Sequence, residues 1–216
     1  MDRDVFLARV SEAVLRAELP PTPHVTAVPA EAADIDLVEL FRARAQLINT
    51  VVHGPMARHS IPRAVAGIAA GHEIGTFATW EDLPAPGVAS ALAAEGWHRV
   101  VSAPGDDSGF DRIPVADVDL GVTGSSAALA DSGSVVLRHH SGRSRLISAL
   151  PLIHVALVRV ETIYRSLAHW AHEVPDAIEA TANLVIVTGP SRTADIEQHL
   201  NLGVHGPKHL HVVLIK

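Results

Sequence analysis

The 216-residue chain contains no cysteine. That absence removes disulfides, thiolate nucleophiles and any iron–sulfur cluster held by the chain's own thiolates. A basic excess is also missing. The formal net charge is −7 and the pI about 6.0, so the electrostatic term that drives nucleic-acid binding would be repulsive. The opening "MDRDVFLARVSEAV" carries acidic residues where a secretory leader needs a basic patch and an apolar run. The greasiest stretch, "LISALPLIHVALVRV", is broken by Pro151, His154 and Arg159 and falls short of a membrane span. There is no Gly-x-Gly-x-x-Gly fingerprint, no internal repeat and no low-complexity segment. What remains is 48% hydrophobic and 19% charged, enough to bury a core, in one large domain or two small ones. The expectation is a cytoplasmic protein with no membrane span and no nucleic-acid partner.

Periodicity organises the chain. Phe6, Val10, Val14 and Leu15 recur at helical spacing, and "PPTPH" ends that helix. Residues 1–23 therefore read as a detached helical arm and linker, with its apolar stripe available for a contact within a homo-oligomer or with a partner. Helices are expected at 36–48 and, with Pro62 in the first turn, at 61–71. From there strands and helices alternate. Strands are expected at 72–80, 98–103, 117–124, 134–139, 153–160, 183–189 and 209–216, and helices at 87–97, 125–133, 161–174 and 191–200. Near-continuous apolar strands alternating with helices predict an α/β fold over residues 24–216, a largely parallel sheet flanked by helices.

Two stretches have the local grammar of a ligand site. In "DLGVTGSSAALADSGS" and "VIVTGPSRTADIE" a strand runs into a Gly and then into small hydroxyl residues that open an expected helix. Such a turn offers free N–H groups and a helix dipole to a carboxylate or phosphate. Thr123, Gly124, Ser125 and Ser126 belong to the first turn, and Gly189, Ser191, Arg192 and Thr193 to the second. Helix capping explains the same hydroxyls. Arg192, Arg145 and Lys208 are candidate anion partners, Arg because its fork matches a carboxylate or phosphate. The two turns are expected to converge on one cleft. His209 and His211, two apart, share a strand face. With His205 they make a His-only pattern without an adjacent carboxylate, and no metal is assigned from it. Ser191, Asp195 and His205 invite a triad reading, but "TGPSRT" is not the nucleophile elbow G-x-S-x-G.

Taken together, "GVTGSSAALADSGSVVL", "GRSRLISALPLIHVALV" and "TGPSRTADIEQHLNLGVHGPKHLHVVLI" closely resemble the signatures of the lactate-utilisation protein C family, the LUD domain. The resemblance is specific over residues 119–216 and fainter back to about residue 35. It implies a fold similar to the NagB/RpiA/CoA-transferase-like group. It also implies a part in oxidising L-lactate to pyruvate beside partner proteins that carry iron–sulfur clusters, with no cofactor on this chain. It points to Asp131 as the candidate catalytic carboxylate and to the Gly189–Thr193 and His205–Lys208 loops as the anion site. One departure stands out: Asp131-Ser132-Gly133-Ser134 replaces the family's usual Glu-Thr-Gly-Thr, and Asp is one methylene shorter. Two alternatives stay open. One is a stand-alone enzyme on a phosphorylated or acyl metabolite, and the other is a metabolite-binding regulatory module.

Overall fold

A computed structural model describes residues 2–17, 35–100, 118–140, 142–177, 181, 183–194, 200–202 and 206–216. The chain divides into two units, residues 1–30 and 31–216. The first contains α1 (Arg3–Arg16), capped by the Asp2 side chain accepting from the Asp4 N–H. The expected Pro-rich linker after it lies outside the described residues. No described helix is long and apolar enough to cross a membrane.

The second unit begins with α2 (Leu37–Leu47). Asp36 caps it by accepting from the Val38 and Glu39 N–H groups, and Phe41 and Ala45, four apart, bury its inner face. Burying a side chain the size of Phe41 contributes about 1.5–3 kcal/mol. Strand β1 (Thr50–Met56) follows, then α3 (Ile61–Ala70), which buries Ile61, Val65, Ala66 and Ala69. Next come β2 (Thr76–Thr79), α4 (Val88–Ala94), β3 (His98–Arg99), β4 (Leu120–Gly124), β5 (Ala127–Leu129) and β6 (Ser134–His139). The chain continues through the short α5 (Leu146–Ala149), β7 (Ile153–Arg159), β8 (Ile163–Tyr164), α6 (Leu167–Glu173) and β9 (Asn183–Val187). It ends with β10 (Arg192–Ala194), β11 (Leu200–Leu202) and β12 (His209–Ile215).

Six strands form a wholly parallel sheet in the order β1-β12-β7-β4-β2-β3. Strands β8-β5-β6-β9 form a second, mostly antiparallel sheet. Alternation along the strands splits the core. On one face of the parallel sheet, Val122, Val155, Leu157 and Val213 pack against Ile61, Val65 and Leu92 of α3 and α4. On the other, Ala156, Val158, Val212 and Leu214 meet Phe41 of α2, Ile147 of α5 and the inner face of the second sheet. The outer face of that sheet packs on Trp170 of α6. The α/β architecture with helices flanking a parallel sheet is as expected.

Three expected helices are corrected. Residues 125–133 form β5 and a turn, although an alanine-rich run favours helix. Ala128 faces one core while Ala127 and Leu129 face another, and the Ser126 N–H is given to the Val136 carbonyl. Burial on two opposite faces is a strand's requirement, and it overrides propensity. Within 191–200, residues 192–194 and 200–202 pair as an antiparallel ribbon, and 195–199 lie outside the described residues. Residues 161–174 are helical only from Leu167, after the two-residue β8. Strand β1 was not anticipated. Gly54 and Pro55 interrupt its pattern, and it forms an edge of the sheet, where Pro is tolerated.

Candidate functional site

The hydroxyls of the first candidate turn are taken up by the fold. Thr123 is buried, with Oγ1 2.9 Å from Nε2 of His154. Ser125 donates to the Leu157 carbonyl at 3.1 Å, and Ser126 accepts from Nε of Arg138 at 3.1 Å. Gly124 abuts Pro84. Since a strand rather than a helix follows, no helix dipole is aimed at this turn. Arg145 is exposed ahead of α5. Asp131 is half-exposed, with its carboxylate 3.6 Å from Nε of Arg165.

The second turn lies elsewhere. Thr123 and Gly124 close the carboxyl end of β4, where Gly124 aligns with Leu157. Pro190 and Lys208 lie at the opposite, amino end of the sheet, where β12 starts with His209 aligned to Ile153. The two turns therefore do not converge on one cleft. What the second turn does meet is the loop before β12. The Ser191 N–H donates to the Pro207 carbonyl at 2.8 Å, and Gly206 packs on the Ser191 side chain. Arg192 and Thr193 lie on β10, and His205 is outside the described residues.

Both signature loops dock on the last turn of α2. Gly133, at φ +66°, has room only for hydrogen: a Cβ there would sit 2.4 Å from the Ala45 nitrogen. At Gly189, φ +82°, a Cβ would sit 2.7 Å from the Ile48 carbonyl oxygen. Hydroxyls tie the loops together, with Ser132 to Ser134 at 2.8 Å and Ser134 to Thr188 at 2.8 Å. Glycine at these positions permits both the left-handed backbone and the close approach.

Among the described residues, four histidines stand at this corner. His209 and His211 project from one face of β12, His53 comes from β1, and His72 follows α3. Nε2 of His53 is 3.1 Å from Nδ1 of His211, and Nε2 of His72 is 3.2 Å from Nε2 of His211. The rings of His72 and His209 are 4.9 Å apart centre to centre. Burial pushes His211 down to about 4, and the neighbouring His53, His72 and His209 push the same way. Burial and then Arg42 lower His53. Burial, then His72 and Lys208, lower His209. Arg42 is anchored beneath by donating to the Val52 carbonyl at 3.0 Å and to that of Gly54. His72, His209 and His211 border a cavity of about 360 Å³ that is also lined by Asn49, Val51, Pro190, Lys208 and Leu210.

Of this set, sequence reasoning found Lys208, His209 and His211 and missed His53 and His72. Those two lie 158 and 139 residues from His211, and no local spacing connects them. Among the described residues no group of three His, Asp or Glu is set to hold a metal ion. The corner instead combines one ammonium, several imidazoles and an apolar wall. That chemistry suits a small anion, with ring nitrogens able to donate or accept a proton.

The family model for the LUD domain matches residues 38–215. Lactate utilization protein C of Geobacillus sp. (strain WCH70) is 30% identical over 181 residues, covering 80% of this chain and 75% of that protein. The Anoxybacillus flavithermus protein of the same name is 40% identical over 100 residues, 46% of this chain and 45% of that one. That of Oceanobacillus iheyensis is 34% identical over 109 residues, 49% and 47%. The match to the latter two spans about half of each relative's length. A crystal structure of a DUF162 family protein from Deinococcus radiodurans is similar in fold, with a TM-score of 0.58 at 20% identity over 83% of this chain and 96% of that one.

Proposed function

This chain belongs to the LUD domain family, and from that premise we propose that it serves in lactate utilisation as a cluster-free protein that binds a small carboxylate. The relatives' name supports the process. The site rests on one observation. The Gly189–Ser191 turn and the loop before β12, joined by the Ser191–Pro207 hydrogen bond, bring Pro190 and Lys208 to the wall of a histidine-lined cavity. Lys208 supplies the fixed charge and the histidines supply hydrogen bonds. Arg192, Thr193 and His205, which adjoin these loops in the sequence, are the further proposed anion partners. Lacking thiolates, the chain leaves electron transfer to partner proteins that carry iron–sulfur clusters. Asp131 is the proposed carboxylate of the reacting end. It sits in the turn that Ser134 ties to Thr188, one residue before Gly189.

Calorimetry with L-lactate and pyruvate tests the binding. Saturable binding is expected, and Lys208→Ala should weaken it about ten- to a hundred-fold, the cost of one charge-assisted hydrogen bond. Because Lys208 is exposed, the melting temperature should stay in place. A chain that binds neither carboxylate, or a variant with unchanged affinity, removes the pocket from the proposal. A pull-down from lactate-grown cells, with partners assayed for iron, tests the assembly independently.

A further inference from the structure

We propose that the pocket takes its carboxylate together with a proton, which the linked imidazoles of His53, His211 and His72 accept. The inference rests on the carboxylate reading of this pocket. A neutral imidazole has one N–H and one lone pair. His211 has both ring nitrogens engaged, Nδ1 with His53 and Nε2 with His72. When neutral, it must donate at one end and accept at the other. When protonated, it donates at both ends to nitrogens already in place. The geometry thus accommodates an added proton without a new partner, and the proton can be shared along the chain to His72 at the cavity wall.

Among the described residues that line the cavity, none is acidic. The charges acting on the shifted rings come from Arg42 on His53, from His72 and Lys208 on His209, and from His53, His72 and His209 on His211. Every one of these contributions, and burial with them, lowers the proton affinity of the ring it acts on. A carboxylate beside Lys208, His72 and His211 reverses the balance: it favours the imidazolium, and the imidazolium favours it. The reciprocity is thermodynamic, so anion and proton strengthen each other's binding equally. The cavity, at about 360 Å³, lies at the small end of ligand pockets, roughly 300–1,000 Å³. Its apolar wall of Val51 and Pro190 leaves a single charged end, which fits a small monocarboxylate.

The test is calorimetry of the full chain with L-lactate at pH 6 and pH 8, each in two buffers of different ionisation heat. Uptake approaching one proton per site is expected at pH 6, with affinity about tenfold weaker at pH 8. His72→Gln, at a half-exposed position, should abolish both effects. So should His211→Gln, and where that buried change unfolds the chain, His72→Gln decides. Equal affinity at both pH values with no proton uptake overturns the inference and leaves the carboxylate reading standing. Full uptake retained in the folded variants overturns the assignment to these histidines. No lactate binding at either pH overturns the carboxylate reading and the inference together.

Discussion

His211 and His154 stand on adjacent strands, one register step apart: Leu210 aligns with His154 and His211 with Val155. The pleat sends them to opposite faces of the parallel sheet. On the α3 side, His211 keeps two imidazole partners and an open cavity. On the other side, His154 is fully buried with one partner, Thr123, and its Nδ1 has none. His139, nearby, gives Nδ1–H to the Arg143 carbonyl at 3.2 Å and leaves Nε2 unpaired beneath the edge of Trp80. Trp80 is itself pinned to the Ser144 carbonyl and covered by Arg143, which forks onto Asp82. Burial neutralises histidines on both faces, with His154 pushed down to about 3 and His211 to about 4. What separates the two sets is access. His154 and His139 are buried, whereas the open set faces a cavity beside a lysine.

The largest expected effect is common to both faces and is set by acid. Both His154 and His211 have folded-state values below the ordinary 6.5. Below about pH 6.5 the unfolded chain binds protons that the folded chain refuses, so stability is full above that pH and falls as pH drops towards 4. The slope is about 1.4 kcal/mol per pH unit for each such histidine. Urea denaturation across this range should show it, and His154→Gln should remove that histidine's share of the slope. A flat profile from pH 7 to 4.5 would mean that neither histidine is held neutral.

Next in size is the seal itself. Gly121 aligns with His154, and a Cβ at Gly121 would sit 1.9 Å from the Ile147 carbonyl oxygen. Helix α5 therefore lies directly on β4. Gly121→Ala should cost about 3 kcal/mol or more, since the contact is to backbone and cannot yield by rotating a side chain. An unchanged denaturation midpoint would show that α5 can lift away, and the sealed face would not be sealed. The smallest effect belongs to the open corner. His209 is exposed, so His209→Ala should change stability by no more than about 0.5 kcal/mol while weakening carboxylate binding. A loss as large as that from Gly121→Ala would make the corner part of the structural core.

Much of the fold is legible in the sequence. The absence of cysteine, the apolar strands at 120–124, 134–139, 153–159, 183–187 and 209–215, and the helical spacing at 37–47 and 61–70 are properties of neighbouring residues. They report on local geometry, and the local geometry held. The paired loops "GPSRT" and "GVHGPK" were legible as chemistry for the same reason, since Gly, Pro and basic residues mark turns and charge wherever they stand. The alanine-rich run 127–130 was misread because its strand form comes from two cores pressing on it from opposite sides, which propensity does not contain. The convergence of the "TGSS" and "GPSRT" turns failed in a similar way. Both follow strands, but the strands belong to different sheets, and the turns lie at opposite ends of the parallel one. Only the tertiary structure decided which histidines meet. His53 and His72 reach His211 through parallel pairing of β1 with β12 and through the return of α3 to the amino end of the sheet. A hydrogen bond of about 3 Å between residues 158 positions apart is set by the three-dimensional path of the chain, and no spacing within the sequence records it.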